Sequence, residues 1–403
     1  MEDDRGRDGW LAAPQPRLGA PGLAGLLILA NALIPFSLDI YTPSVPMMPA
    51  YFGTTEALVN LTILGFFLFF AVGLLVFGPV SDRVGRKPVL VGGILAYIAG
   101  SALCAVAPTI YVLIGARVVQ ALGAGAVNAV SMALVKDCFA PARRGTMLAL
   151  IQVLTVVGPV LAPLLGGVII QLASWRAIFW ALAALGGLCL AAALLFRESL
   201  PADERTDDGV LRSLRGLGRV ARQRKFMLIL AAASLFNLPF MAYIAVGSYV
   251  YVDLFGETQQ VYTYFFAATA GFSTLGPVLH LRFGRGASPW RLTYLLLAAC
   301  AALGAAMLAV GSRSVWAFAA LMMLFAAASA TVRPYTTNLL LGLCRGDTGA
   351  ASSMINFLNT AAGVVGMALI MLPFPDYVTG IGAILLVSML AGLPLWAIAC
   401  RAR

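Results

Sequence analysis

Gly78-Pro79-Val80-Ser81-Asp82-Arg83-Val84-Gly85-Arg86-Lys87-Pro88 lies between two long apolar runs. A charged, glycine-punctuated segment this short, between two such runs, reads as a tight turn at a membrane surface. A degraded copy returns as Gly276-Pro277-Val278-Leu279-His280-Leu281-Arg282-Phe283-Gly284-Arg285. Arg83, Gly85 and Arg86 align with Arg282, Gly284 and Arg285 at a constant offset of 199. A duplicated helix-turn-helix in an apolar chain predicts two similar halves.

Working outward, 61% of the 403 residues are apolar and only 11% are charged, against roughly a quarter charged in a soluble domain. The apolar residues come in blocks of roughly twenty, the length that crosses a hydrocarbon core about 30 Å thick. Lipid offers backbone groups no hydrogen-bond partners, so such blocks must be helices or barrel strands. Their lack of strict alternation selects helices. The net charge of +10 sits at the ends of these blocks without an aromatic-interleaved basic patch, which argues against nucleic acid. Cys104, Cys138, Cys189, Cys300, Cys344 and Cys400 are scattered singly, a spacing that suits buried small side chains rather than a metal site or disulfide framework. No Walker-type phosphate loop and no nucleophile–base constellation is present, so neither an ATP-driven pump nor an enzyme is expected. No cofactor is expected either. Residues 1–17 lack the layout of a cleaved signal peptide, and the first span is expected to serve as its own insertion signal.

The fold class expected is an all-α polytopic membrane protein with twelve transmembrane helices in two pseudo-symmetric six-helix bundles. Spans fall at 22–45, 57–79, 89–107, 110–135, 145–173 and 176–196, then at 226–253, 260–281, 291–311, 314–342, 349–372 and 377–400. This divides the chain into an N-terminal tail (1–21), a first bundle (22–196), a central segment (197–225), a second bundle (226–400) and a short C-terminus (401–403). One side of this arrangement collects 23 of the 27 Lys and Arg residues, and the loops opposite hold only Arg176 and Arg313. Positive residues stay inside, so both termini and the central segment are expected in the cytoplasm of a bacterial inner membrane. The central segment is either a flexible linker or, over 211–224, an amphipathic helix on anionic lipid.

On these residues the chain resembles the major facilitator superfamily. The resemblance covers both halves and the central loop, and Gly78-x-x-x-Asp82-Arg83-x-Gly85-Arg86-Lys87 matches the superfamily's signature loop in full. Gly78 and Gly85 are expected to let the helices turn. The resemblance implies that Asp82 pairs with Arg86, that Asp137 completes the cluster, and that Asp82 faces the start of the eleventh span. Charges at helix ends are worth about 1 kcal/mol each, enough to bias a conformational equilibrium without dominating it. The alternative is a basic loop that only fixes topology, which explains the arginines but not Asp82 with two glycines.

Arg117, Gln120, Ala124, Asn128 and Ser131 share a face of the fourth span, and Asn31, Pro35, Asp39 and Thr42 share a face of the first. A buried arginine is costly, so this stripe should face an interior cavity. It either holds the bundle by hydrogen-bonding carbonyls of the first span or takes part in proton-coupled gating. Asp39 is the one carboxylate well inside a span, at a depth compatible with Arg117. Desolvation favours the protonated carboxyl and a nearby cation the ionised one, so Asp39 could load and release a proton. It could instead cap a helix end before Pro43. Gly158-Pro159-Val160-Leu161-Ala162-Pro163-Leu164-Leu165-Gly166-Gly167 in the fifth span permits close, bent packing. By resemblance, Gly158, Pro159, Pro163, Gly166 and Gly167 form a run associated with antiporters.

Within the superfamily, Asp39-Ile40-Tyr41-x-Pro43-x-x-Pro46 and Arg117-x-x-Gln120-Ala121-Leu122-Gly123 are similar to the bicyclomycin-resistance type of drug:proton antiporter. Thr42 stands where that type usually shows Leu. The resemblance implies export of small amphiphilic or drug-like molecules in exchange for protons, by alternating access in a functional monomer. A proton-coupled metabolite exporter or importer is the alternative, and a non-transporting membrane sensor the remote one. Asn31, Tyr41, Gln120 and Asn128 are candidate cavity residues in the first half. In the second half, polarity alone points to Asn237, Tyr243, Tyr262, Tyr264, Arg333, Tyr335, Asn338, Asn356 and Asn359. Arg333 would bind an anionic or carbonyl-rich substrate, or pair with a carbonyl freed by Pro334. His280 reads as a surface residue.

Overall fold

The computed structural model describes residues 10–11, 15–201, 203, 205, 218–283, 289–343 and 348–401. The chain is built of helical passes: α1 (Gly19–Asp39), α2 (Glu56–Val84), α3 (Arg86–Ala105), α4 (Ile110–Cys138), α5 (Pro141–Leu172) and α6 (Trp175–Leu195). After the central segment come α7 (Arg224–Leu254), α8 (Gln259–Phe283), α9 (Pro289–Val310), α10 (Val315–Leu343), α11 (Thr348–Leu369) and α12 (Tyr377–Arg401). Among the described residues, nine of these are long and apolar enough alone to cross a membrane. The described apolar stretches of α5 and α11, Leu161–Leu172 and Met354–Leu369, are shorter.

Local sequence sets the ends. Thr109 caps α4 by accepting from the Val112 amide at 3.3 Å, and Pro141 opens α5 at a position where its missing N–H costs nothing. Beyond α1, Pro43 and Pro46 divert the chain into a 3₁₀ turn, Thr42–Met47. There Thr42 Oγ1 donates to the Asp39 carbonyl at 2.8 Å and Ser44 Oγ to the Tyr41 carbonyl at 2.7 Å. α7 is interrupted after Ser234, restarts at Asn237 and ends in a π-helical turn, Val250–Leu254.

The chain divides into two compact units, one holding Leu61–Arg212 with Met1–Ser44 and Ala50–Thr54, the other Ser213–Arg403 with Val45–Pro49 and Thr55–Asn60. The two units repeat one packing scheme. In the first, α1 packs on α5, α3 on α4 and α3 on α6; in the second, α7 packs on α11, α9 on α10 and α9 on α12. The closest approaches repeat as well. A Cβ on Gly166 of α5 would lie 2.1 Å from the Ile40 carbonyl oxygen, and one on Gly366 of α11 2.1 Å from that of Leu238. These contacts are 200 and 198 residues apart, close to the 199-residue offset of the repeated loop. The second copy of that loop, including His280, lies where side chains are outside the described residues, and residues 211–217 of the 211–224 stretch expected as a linker or amphipathic helix are also outside them.

Candidate functional site

Asp82, Arg86 and Asp137 come together as the resemblance implies. The Arg86 guanidinium meets Asp82 Oδ1 at 2.6 Å through Nη1 and Asp137 Oδ2 at 2.8 Å through Nε. Nη1 also donates to Ser81 Oγ at 2.6 Å. Arg86 is buried whereas Asp82 keeps 44% of its side-chain exposure, so the anchored member is the arginine and the releasable one Asp82. Arg83 is exposed and Lys87 half-buried.

One expectation needs correcting here. Gly78 does not make the turn: α2 continues through it to Val84, and a Cβ there would meet nothing within 4 Å. The reversal falls on Gly85 alone, at φ +116°, a conformation that side-chain-bearing residues rarely adopt.

A second polar centre lies inside the first unit. Arg117 is fully buried in α4. It donates through Nη1 to the Ser37 carbonyl at 3.0 Å and to Gln120 Oε1 at 2.7 Å, and reaches the Thr62 carbonyl through Nε only at 3.5 Å. Its guanidinium stands 4.3 Å from the Phe66 ring centroid and 5.2 Å from that of Tyr41. Such faces stabilise a desolvated cation. Gln120 Nε2 passes on to Ser101 Oγ at 2.8 Å, and Tyr97 Oη lies 2.6 Å from Ser37 Oγ.

Among the described residues Asp39 makes no ion pair with Arg117. Asp39 is buried, and the described hydrogen bond at this residue is accepted by its backbone carbonyl, not its carboxyl. Arg117 thus rests on carbonyls, Gln120 and aromatic rings, the holding role that the sequence left open, and its Nη2 has no hydrogen-bond partner among the described residues.

The remaining candidates sort by contact. Asn128 Nδ2 donates to Asn31 Oδ1 at 2.9 Å and Asn31 Nδ2 to Ser131 Oγ at 2.9 Å, joining the two predicted stripes of α1 and α4. Asn237 Nδ2 donates to Asn359 Oδ1 at 3.0 Å, a bond that Ser234 Oγ duplicates at 3.0 Å. Tyr41 and Gln120 are fully buried around Arg117, and Tyr243 stacks on Phe266 with centroids 5.9 Å apart. These three are packed inside their own units instead of facing open space. Tyr335 is buried, and Arg333 and Asn356 are exposed. On α5, Gly158 abuts Pro35, whose Cβ a side chain would meet at 2.6 Å, and Gly166 abuts Ile40. The run is the surface on which α5 lies against α1, with Pro163 buried and Gly167 half-buried. The side chain of Pro159 is outside the described residues. Sequence reading missed Ser37, Thr62, Phe66, Tyr97 and Ser101. Tyr97 and Ser101 share a helical face with Gly93 and could have been found from that spacing; the carbonyl of Ser37 carried no signal.

Two duplicated helical units, buried polar centres within a unit and a charged signature loop describe a multi-pass helical membrane protein. A family model described as Major Facilitator Superfamily matches residues 27–367, and the chain belongs to that superfamily. It is 32% identical over 265 residues to the uncharacterized MFS-type transporter YdgK of Bacillus subtilis, covering 65% of this chain and 66% of that protein. It is 28% identical over 255 residues to the multidrug resistance protein MdtL of Escherichia coli, covering 62% and 64%. With a chloramphenicol resistance protein of Pseudomonas aeruginosa it shares 37% over 166 residues, 39% of this chain and 38% of that one. The matched region thus spans just under two thirds of the first two relatives. A peptide transporter POT in complex with sulfate superposes with a TM-score of 0.77 over 97% of both chains at 17% identity. A D-xylose-proton symporter gives 0.73 at 15% identity, over 93% of this chain and 97% of that one. These two likenesses concern the fold.

Proposed function

We propose that this superfamily member is an exporter of small amphiphilic molecules that works by exchange with protons, in a bacterial cytoplasmic membrane with both termini inside. The observation that carries the reading is Asp39, a buried carboxyl with no described ion pair, on the helix whose Ser37 carbonyl accepts from the fully buried Arg117. A carboxyl so placed is the group positioned to carry the exchanged proton as the surrounding helices move. Drug resistance in the names of two relatives supports the cargo class. Packing of the α5 glycine run against α1, the helix that carries Asp39, supports coupling between helix movement and the carboxyl.

The Asp82–Arg86–Asp137 cluster acts as a latch on the cytoplasmic side. Asp82 is nearly half exposed, so its ion pair is worth about 1 kcal/mol or less. Asp82→Asn is expected to slow turnover by about fivefold while leaving substrate binding as it is. Single-turnover and binding measurements in proteoliposomes separate the two, and wild-type turnover would remove the latch. The cargo class is tested by expressing the chain in a drug-sensitive bacterium against a panel including chloramphenicol and ethidium. Proton coupling is tested in everted vesicles, where collapse of the pH gradient should abolish accumulation. A chain that protects against none of the panel, and drives no gradient-dependent uptake, is not such an exporter.

A further inference from the structure

Gly85 is the N-cap of α3, and its position cannot hold the usual capping side chain. Its φ is +116° and a Cβ there would lie 2.6 Å from Glu198 Oε2. The first N–H groups of α3 nevertheless need acceptors. Glu198, just beyond the end of α6, supplies them. Its Oε1 accepts from the amides of Arg86 at 3.0 Å, Ser199 at 3.0 Å and Leu200 at 3.1 Å, and its Oε2 accepts from the Lys87 amide at 3.0 Å. Lys87 returns the contact, donating through Nζ to the Leu194 carbonyl at the end of α6, at 2.9 Å. An anion at one helix start and a cation at the other helix end each complement the local dipole.

We infer that Glu198 is a positioning residue for the latch: it holds the backbone of Arg86 so that the same residue's guanidinium reaches Asp82 and Asp137 together. The polar central segment leaves the first unit at this point, so displacement of its start is transmitted to Arg86 directly. This inference rests on the latch of the proposed function. Glu198→Gln keeps one acceptor oxygen but sets an NH₂ group against an amide N–H, and it removes the anion. An unsatisfied cap shifts a local equilibrium by about five- to tenfold.

Two measurements on the full-length protein in nanodiscs and proteoliposomes test the inference. One is maleimide labelling of native Cys138, which is buried beside Asp137, read by mass spectrometry of its peptide. The other is ethidium efflux. Glu198→Gln is expected to raise the labelling rate and lower maximal efflux, each about fivefold, with the half-saturating concentration unchanged. The double variant Asp82→Asn/Glu198→Gln should be no worse than the more severe single one, because both act through Arg86. Wild-type labelling in Glu198→Gln, a change in half-saturation alone, or effects that multiply in the double variant would overturn the inference. Labelling needs no substrate. If the wild type does not move ethidium, labelling of the two single variants and the double decides the role of Glu198, and it is the proposed cargo that fails. Should Glu198→Gln not fold, Glu198→Asp, one methylene too short to reach both amides, is read in the same way.

Discussion

Gly166→Ala is expected to leave little folded protein in the membrane. The new Cβ would stand 2.1 Å from the carbonyl oxygen of Ile40, a backbone atom that cannot turn aside as a side chain could. Relief requires α5 to move away from α1 over the contact that also includes Gly158 against Pro35. Overpacking of a close-packed interior commonly costs about 1–3 kcal/mol, and a backbone obstacle puts this case at the upper end. Since native proteins hold only about 5–15 kcal/mol in all, the variant should show a fall in melting temperature and in monodisperse yield. Gly187→Ala in α6 is the control: its Cβ would meet nothing within 4 Å, and the exchange should be neutral or slightly favourable for the helix. Equal melting of the two variants, by fluorescence-detected size exclusion in detergent, would show that α5 and α1 do not approach so closely.

Asp39→Asn should have the opposite character, with folding kept and coupling lost. The amide is nearly isosteric with the carboxyl, and Asp39 is buried with no described ion pair to break. Burying an amide is less costly than burying a charge, so the melting temperature should hold or rise. Gradient-driven efflux of ethidium or chloramphenicol from proteoliposomes should fall to that of empty liposomes, because an amide carries no exchangeable charge. Equilibrium exchange of the same compound across the membrane should persist. Gradient-driven efflux at the wild-type rate would remove Asp39 as the proton site.

Read from residues alone, much of this molecule was accessible. Apolar block length defined the helical passes, because lipid leaves backbone groups no alternative to internal hydrogen bonds. Helical spacing placed Asn31 and Asp39 on one stripe and Arg117, Gln120, Asn128 and Ser131 on another, and Asn31 does meet Asn128 and Ser131. The Asp82, Arg86 and Asp137 cluster was legible only through the resemblance of the Gly78–Lys87 loop to the superfamily's signature, and the three side chains do meet. Gly78 was misread because a glycine in a loop-like word need not lie in the loop. Its neighbours Pro79 to Val84 still have enough helical support to carry α2 onward.

The sequence by itself therefore determined the class, the duplication and the polar faces. Which neighbour each face meets was decided by the tertiary structure. A stripe states the direction in which a residue leaves its helix, but not the crossing that brings another helix to it. Arg117 could have met Asp39 or a carbonyl; the placement of α1 and α2 gave it the Ser37 carbonyl and the ring of Phe66. The partner of Gly166 is the backbone of Ile40, and the amides of Arg86 and Lys87 have a carboxylate 112 and 111 residues away. Every residue but proline carries the same backbone donor and acceptor, so a contact made to them leaves no pattern in the residue types. It exists only once the helices are packed.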